Sequence, residues 1–322
     1  MPVSSRQTVP GGLHRVFCGV LLAAFLAAAS IAGLAADDAQ PPLESLTVGG
    51  VERQWQLRVP SGYRDSLPLP LVLELHGTGG TPERQMRLSG LSVLAEEEGF
   101  LLAAPVAMYP RAKDGMLTWN VDLHPDAVDD VAFIAALIDH ISDHYAVDPT
   151  RIYATGFSGG ARMSSRLACD LADRVAAIGA VGGLRYPEDC QPARPVPVIA
   201  FHGRQDRVNH YVYQPDSPDY WRMGVEDALS GWVRHNGCAP RPQLAILSIS
   251  DVRLAYPDCQ DNAEVIFYRS EVADHTWPGS PLAGRMREYL GEDSVSDVPA
   301  TTLIWNFFRA HSLPVNRLNR RP

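Results

Sequence analysis

Gly156-Phe157-Ser158-Gly159-Gly160 sets a serine between flanking glycines in a G-x-S-x-G pattern. Residues 151–155 before it read as a short buried strand, and residues 161–171 after it as a helix. A strand that turns sharply into a helix at a serine holds the Oγ on a strained elbow, clear of its neighbours. The flanking glycines let other backbone pass close by without meeting a Cβ. A serine hydroxyl is a weak nucleophile until a base takes its proton. An imidazole does this near neutral pH, and a carboxylate steadies the imidazolium that forms. Both partners follow in the chain. Residues 197–201 read as a buried strand running into His202-Gly203-Arg204-Gln205-Asp206. Asp206 thus lies just past a strand's C-terminal end, where sites form in open α/β sheets. Residues 263–268 alternate like a strand and lead to His275, on a loop where Pro278 and Gly279 stop a helix from starting.

The chain order serine, acid, histidine is that of the α/β-hydrolases. In that arrangement one oxyanion N–H comes from the residue after the nucleophile and another from the loop after an early strand. Residues 70–75 form such a strand and end in His76-Gly77-Thr78-Gly79-Gly80, so the backbone N–H groups of Thr78 and Gly159 are the candidates. Together with Leu75-His76-Gly77-Thr78-Gly79, Gly156-Phe157-Ser158-Gly159-Gly160 and His202-Gly203-Arg204-Gln205-Asp206, three more pieces carry a resemblance. They are His275-Thr276-Trp277-Pro278-Gly279, the closing Ile304-Trp305-Asn306-Phe307-Phe308, and the cysteine pairs. Over about residues 70–310 the chain resembles the secreted esterase family that groups polyhydroxybutyrate depolymerase-type enzymes with feruloyl and acetylxylan esterases. The resemblance implies Ser158 as nucleophile, Asp206 as acid and His275 as base. Two departures stand out. Val272-Ala273-Asp274 replaces a glycine-rich lead before the histidine, and Ala161 stands where a further glycine is common. Asp274 could raise the basicity of His275 or compete with Asp206 for it.

The chain has 322 residues, 46% of them hydrophobic, which suits one large domain, and a formal charge of −9. An acidic surface argues against nucleic acid or anionic membranes as partners. Arg6 and Arg15 precede an uncharged, Ala/Leu-rich stretch from Val16 to Ala36 that ends in small residues, the pattern of a signal peptide. An uncleaved membrane anchor is the alternative, because the run is nearly long enough to span. The domain reading is therefore 1–36 signal peptide, 37–43 linker, 44–314 catalytic domain and 315–322 basic tail. Export to the periplasm or outside the cell follows, with no stable membrane association after cleavage. Once Cys18 is lost, Cys169, Cys190, Cys238 and Cys259 remain, an even set with three possible connectivities. The family resemblance implies Cys169–Cys190 and Cys238–Cys259. No C-x-x-C pair occurs, so no metal site is read there, and the chemistry needs no cofactor.

The remaining elements fit that domain. Residues 46–59 read as a hairpin around Gly49-Gly50. Residues 82–98 read as one helix, capped by Thr81 with Pro82 at its first position. Residues 100–106 and 175–182 read as strands. Val128, Val131, Ile134, Ile138, Ile141 and Tyr145 keep helical spacing, and residues 301–311 close the chain as a helix. Strands that alternate with helices imply an α/β class with a mostly parallel central sheet, here without a large lid domain.

Other side chains have plainer readings. His140 and His144, at i and i+4, could hold a metal but fit a solvent-facing helix C-terminus better. His76 and His202 precede Asp206 and suit loop shaping, and His311 suits a structural role. Asp129 and Asp130 suit a helix N-terminus. Arg204 and Arg207 read as surface charge. Aromatic residues cluster in two loops, Tyr109 with Trp119, and Tyr211, Tyr213, Tyr220 and Trp221. Trp119 and Trp277 are the candidate pocket walls. The substrate implied by the resemblance is a feruloyl or acetyl ester of plant polysaccharide, with hydroxyalkanoate oligomers as the alternative. A serine peptidase and a non-catalytic binding protein on the same fold are the rival classes.

Overall fold

The computed structural model describes residues 41–111 and 113–314. The expected signal peptide, Cys18, the first residues of the linker and the basic tail lie outside them. β1 (Glu44–Val48) and β2 (Val51–Arg58) pair through Gly49-Gly50, both at positive φ, the backbone that a two-residue hairpin turn demands. β3 (Leu69–Leu75) follows. The single helix expected over 82–98 is two, α1 (Pro82–Ser89) and α2 (Leu91–Glu98). Gly90 separates them with φ 75°, its N–H donating to Met86 O, so the left-handed cap ends one helix and redirects the chain. Thr81 caps α1 by accepting the Arg84 N–H.

β4 (Leu101–Pro105), the short β5 (Tyr109–Pro110) and β6 (Leu117–Thr118), and α3 (Asp130–His144) come next. Then come β7 (Val147–Phe157), α4 (Gly159–Asp170), β8 (Ala177–Val181), β9 (Val198–Gly203) and α5 (Val225–His235). The chain continues with β10 (Gln243–Ile246), β11 (Asp251–Tyr256), β12 (Val265–Ser270), α6 (Ala283–Leu290) and α7 (Ala300–Arg309). Among the described residues, ten strands form one sheet in the order β1-β2-β4-β3-β7-β8-β9-β12-β11-β10. Pairing is parallel from β4 to β12 and antiparallel at both flanks.

The central strands are buried on both faces because helices cover both. Leu71, Leu73 and Leu75 of β3 point to one core with Phe133, Met163 and Trp232, whereas Val72 points to the other with Met86, Trp305 and Phe308. That alternation is the period of two inherent in a strand. Both expected disulfides are present, each spanning 21 residues. Cys169–Cys190 ties the end of α4 to the loop before β9. Cys238–Cys259 brackets the β10–β11 hairpin, which sequence reading did not anticipate.

Asp130 does more than suit the helix dipole. Its carboxylate accepts from Arg53 Nη2 at 2.5 Å and from the Asn120 N–H at 2.7 Å, fully buried, while Asp129 takes the capping role. Arg53 stacks over Phe133 at 4.0 Å, so one ion pair pins β2 to α3. Arg53→Met strands a buried carboxylate and is expected to cost about 3–5 kcal/mol in denaturant unfolding. The double change Arg53→Met with Asp130→Asn should recover part of that loss.

Candidate active site

The serine elbow is built by backbone contact. Ser158 has φ 54° and ψ −113°, a conformation that costs on the order of 1–3 kcal/mol for a residue with a Cβ. Its N–H donates to Val181 O at 2.9 Å and its carbonyl accepts the Arg162 N–H at 3.1 Å, so the turn is held on both sides. Gly160 lets α4 start directly against the end of β3: a Cβ there would lie 1.9 Å from Leu75 O. This contact brings the loop after β3 beside the serine. The Thr78 N–H lies 3.2 Å from where a Gly159 Cβ would stand. Neither the Thr78 nor the Gly159 N–H has an acceptor among the described residues. As the first residue of α4, Gly159 also carries the partial positive charge of a helix N-terminus.

That loop is held by side chains that the motif did not reveal. His76 Nε2 accepts the Ala107 N–H at 3.1 Å, which leaves Nδ1–H to donate to Gly77 O at 2.8 Å. Burial lowers the His76 pKa, keeping the ring neutral as this pairing needs. The Trp119 indole N–H donates to His76 O at 2.8 Å. The Gly79 N–H donates to Leu117 O, and the hydroxyls of Thr78 and Thr118 are 2.8 Å apart. The β5–β6 segment therefore clamps the loop that carries Thr78.

On the opposite wall, His275 Nδ1–H donates to Asp206 Oδ2 at 2.7 Å, and the ring packs against Phe157 with centroids 4.6 Å apart. Asp206 Oδ1 accepts the N–H groups of Val208 and Asn209, and His202 Nε2 lies 3.2 Å from Oδ2. Burial pushes the Asp206 carboxyl up, but the hydrogen bonds from His202 and His275 outweigh it and hold it well below the usual carboxylate range. Asp274 does not compete for the imidazole. It accepts the backbone N–H of His275 at 2.7 Å and the Nε–H of Arg207 at 2.6 Å. Arg207 is thus a brace for the histidine loop, not only surface charge. Arg204 reaches Glu271 at 3.5 Å, away from the acid.

Ser158, His275 and Thr78 line one cavity of ≈ 400 Å³. Ser158 Oγ and His275 Nε2 make no hydrogen bond among the described residues, and both residues line the cavity. Trp277, expected on the pocket wall, is fully enclosed in the core, its Nε1–H donating to Thr301 Oγ1 at 2.9 Å. Trp119 lines a neighbouring cavity of ≈ 730 Å³ with Tyr109 and Tyr220. Tyr211 and Trp221 are core residues, and Tyr213 is exposed. His140 and His144 pack ring to ring with centroids 4.4 Å apart, and no cluster of metal-ligating side chains occurs among the described residues. His311 is structural: its carbonyl accepts the Tyr153 hydroxyl.

The acetyl xylan esterase of Aspergillus awamori superposes with a TM-score of 0.56 over 78% of this chain and 99% of its own, at 16% identity. The chain has the α/β-hydrolase fold. No protein-family model matches it. In sequence it is similar to proteins named as esterases. NocK of Nocardia uniformis subsp. tsuyamanensis, assigned as an esterase, is 29% identical over 273 residues, 77% of each chain. Feruloyl esterase B of Piromyces equi is 32% identical over 200 residues, 58% of this chain but only 36% of that longer protein. In this fold the Ser158 elbow and Asp206 lie at the C-terminal ends of β7 and β9, and His275 follows β12.

Two outcomes test this geometry. Trp119→Phe removes the N–H that holds His76 O, and kcat is expected to fall about tenfold with less change in KM. A KM effect alone would place Trp119 in substrate binding instead. The depressed Asp206 pKa supplies stability that is present above the unfolded value near pH 4 and lost as pH falls through the folded value. From about pH 5 to about pH 2, unfolding free energy should fall more steeply for wild type than for Asp206→Asn. Parallel curves would mean that the carboxylate is not so loaded.

Proposed function

We propose that this protein is an exported serine carboxylesterase that works through an acyl-enzyme. The observation that carries the reading is the shared cavity. Ser158 on its elbow, His275 held by Asp206, and Thr78 all border it, and the N–H groups of Thr78 and of Gly159, next to Ser158, have no acceptor among the described residues. His275 Nε2 takes the Ser158 proton as Oγ attacks the ester carbonyl, and Asp206 steadies the imidazolium. The carbonyl oxygen, now negative, is met by the two N–H groups, each worth on the order of 3 kcal/mol to the transition state. His275 then hands the proton to the leaving alkoxide, and a water activated by the same nitrogen releases the acid.

Feruloyl or acetyl esters of plant polysaccharide are the proposed substrates, supported by the names of the relatives. Two disulfides favour an oxidising compartment, and with it export. No helix among the described residues is long and apolar enough to cross a membrane. Ser158→Ala is expected to lose about 10⁵-fold or more in kcat, and to lose labelling by a fluorophosphonate, while melting near wild type. Retained turnover would reassign the nucleophile. Rates on methyl ferulate, acetylated xylan and a hydroxybutyrate trimer, measured side by side, decide the substrate class. A clear preference for the trimer would replace plant esters with hydroxyalkanoate oligomers. Cleavage of matched amides as fast as esters would make the protein a peptidase.

A further inference from the structure

The wall of the catalytic cavity carries a charge that ester hydrolysis does not use. Arg84, Arg111 and Arg162 line it, and no aspartate or glutamate does. This runs against the chain as a whole, whose charge is −9. Arg111 is neutralised by Asp114. Arg162 is not neutralised. It lies one turn past Ser158 on α4, is 4% exposed, and has no carboxylate within salt-bridge distance among the described residues. Three other buried arginines have acid partners: Arg53 has Asp130, Arg166 has Asp189, and Arg185 has Asp122. Arg162 Nη1 reaches Asn209 Oδ1 only at 3.5 Å. Its Nε and Nη2 make no hydrogen bond among the described residues, and neither is fully sealed from solvent. The Tyr220 ring lies 4.3 Å from the guanidinium carbon and fixes its plane.

A buried guanidinium without a counter-ion is costly unless something completes it. Burial lowers the Arg162 pKa to about 10, so it stays cationic at neutral pH. Arg162, Arg111 and Tyr220 also line the neighbouring ≈ 730 Å³ cavity, which makes Arg162 the partition between the reacting serine and a second chamber. That chamber is also lined by Asp122, Asp216 and Asp219, of which Asp122 is held by Arg185 and Arg222. The planar fork left free on Arg162 matches a carboxylate.

We propose that Arg162 is a specificity residue that recognises a carboxylate on the substrate, so that the preferred esters are anionic. The proposal rests on the serine esterase reading. The carboxylate belongs either to the acyl group or to the alcohol, and two matched pairs of esters separate these sources. On the acyl side, mono-4-nitrophenyl adipate is compared with its methyl-capped diester. On the alcohol side, 4-acetoxybenzoate is compared with methyl 4-acetoxybenzoate. Rates are taken with the purified full chain after subtraction of the Ser158→Ala background.

In at least one pair, kcat/KM is expected to favour the carboxylate about ten- to a hundredfold, the size of a charge-assisted hydrogen-bonded pair. Arg162→Gln should collapse that ratio towards one, mainly through KM for the anionic ester, and Arg162→Lys should restore part of it. A wild-type preference for the capped ester in both pairs overturns the proposal without any variant. A preference that survives in Arg162→Gln overturns it too. Should Arg162→Gln fail to fold, inhibition of wild type is read instead: adipate must bind more tightly than dimethyl adipate. No Ser158-dependent hydrolysis of any of the four esters would bring down the esterase reading itself. Hydrolysis without a charge preference brings down only the proposal.

Discussion

The contact between Gly160 and the carbonyl of Leu75 is the constraint on which the site depends. No side chain fits there, since a Cβ would sit 1.9 Å from that oxygen. Because backbone meets backbone, α4 begins immediately beside the end of β3. The same approach forces Ser158 into a conformation that a residue with a Cβ avoids. It also sets Thr78 beside Gly159, so the serine and the proposed oxyanion donors come from one junction of two parallel strands. The strain at Ser158 is tolerated because hydrogen bonds to Val181 and from Arg162 over-determine the turn.

Around that junction, polar groups are spent on position more than on chemistry. Asp206 is met by two backbone N–H groups and two imidazoles, which leaves it no freedom to rotate away from His275. Asp274 holds the backbone of the histidine and Arg207 holds Asp274. On the other wall, His76, Trp119 and Thr118 hold the loop that carries Thr78. The two walls are thus braced separately, and the sheet between β3 and β12 sets the distance across the cleft. Preorganisation of this kind is what makes fixed dipoles effective when charge develops.

Much of the fold was legible because the signals are local. Short buried apolar runs gave β3, β7 and β9, alternation gave β12, and helical spacing gave α3. The β10–β11 hairpin was harder, because its strands are half exposed at the sheet flank and carry little apolar pattern. The break at Gly90 was masked by good helix formers on both sides. Trp277 was misplaced because an aromatic residue two positions from a candidate base reads as a pocket wall. Only the packing of α7 on the sheet shows that it is core. Arg162 left one overlooked sign, a charged residue on a helix whose first two turns are otherwise small or apolar.

By itself the sequence determined the α/β class, the order of serine, acid and histidine, and the glycines that an elbow requires. These are set by short-range chemistry: strand and helix periods, turn residues, and motifs a few residues long. Tertiary structure decided what each polar side chain is for. Whether Asp274 competes for the imidazole or braces its loop, and whether Arg162 meets a carboxylate or an open cavity, depends on residues far away in the chain. Those pairings cross the sheet, and a charge takes its role from the partner that folding places beside it.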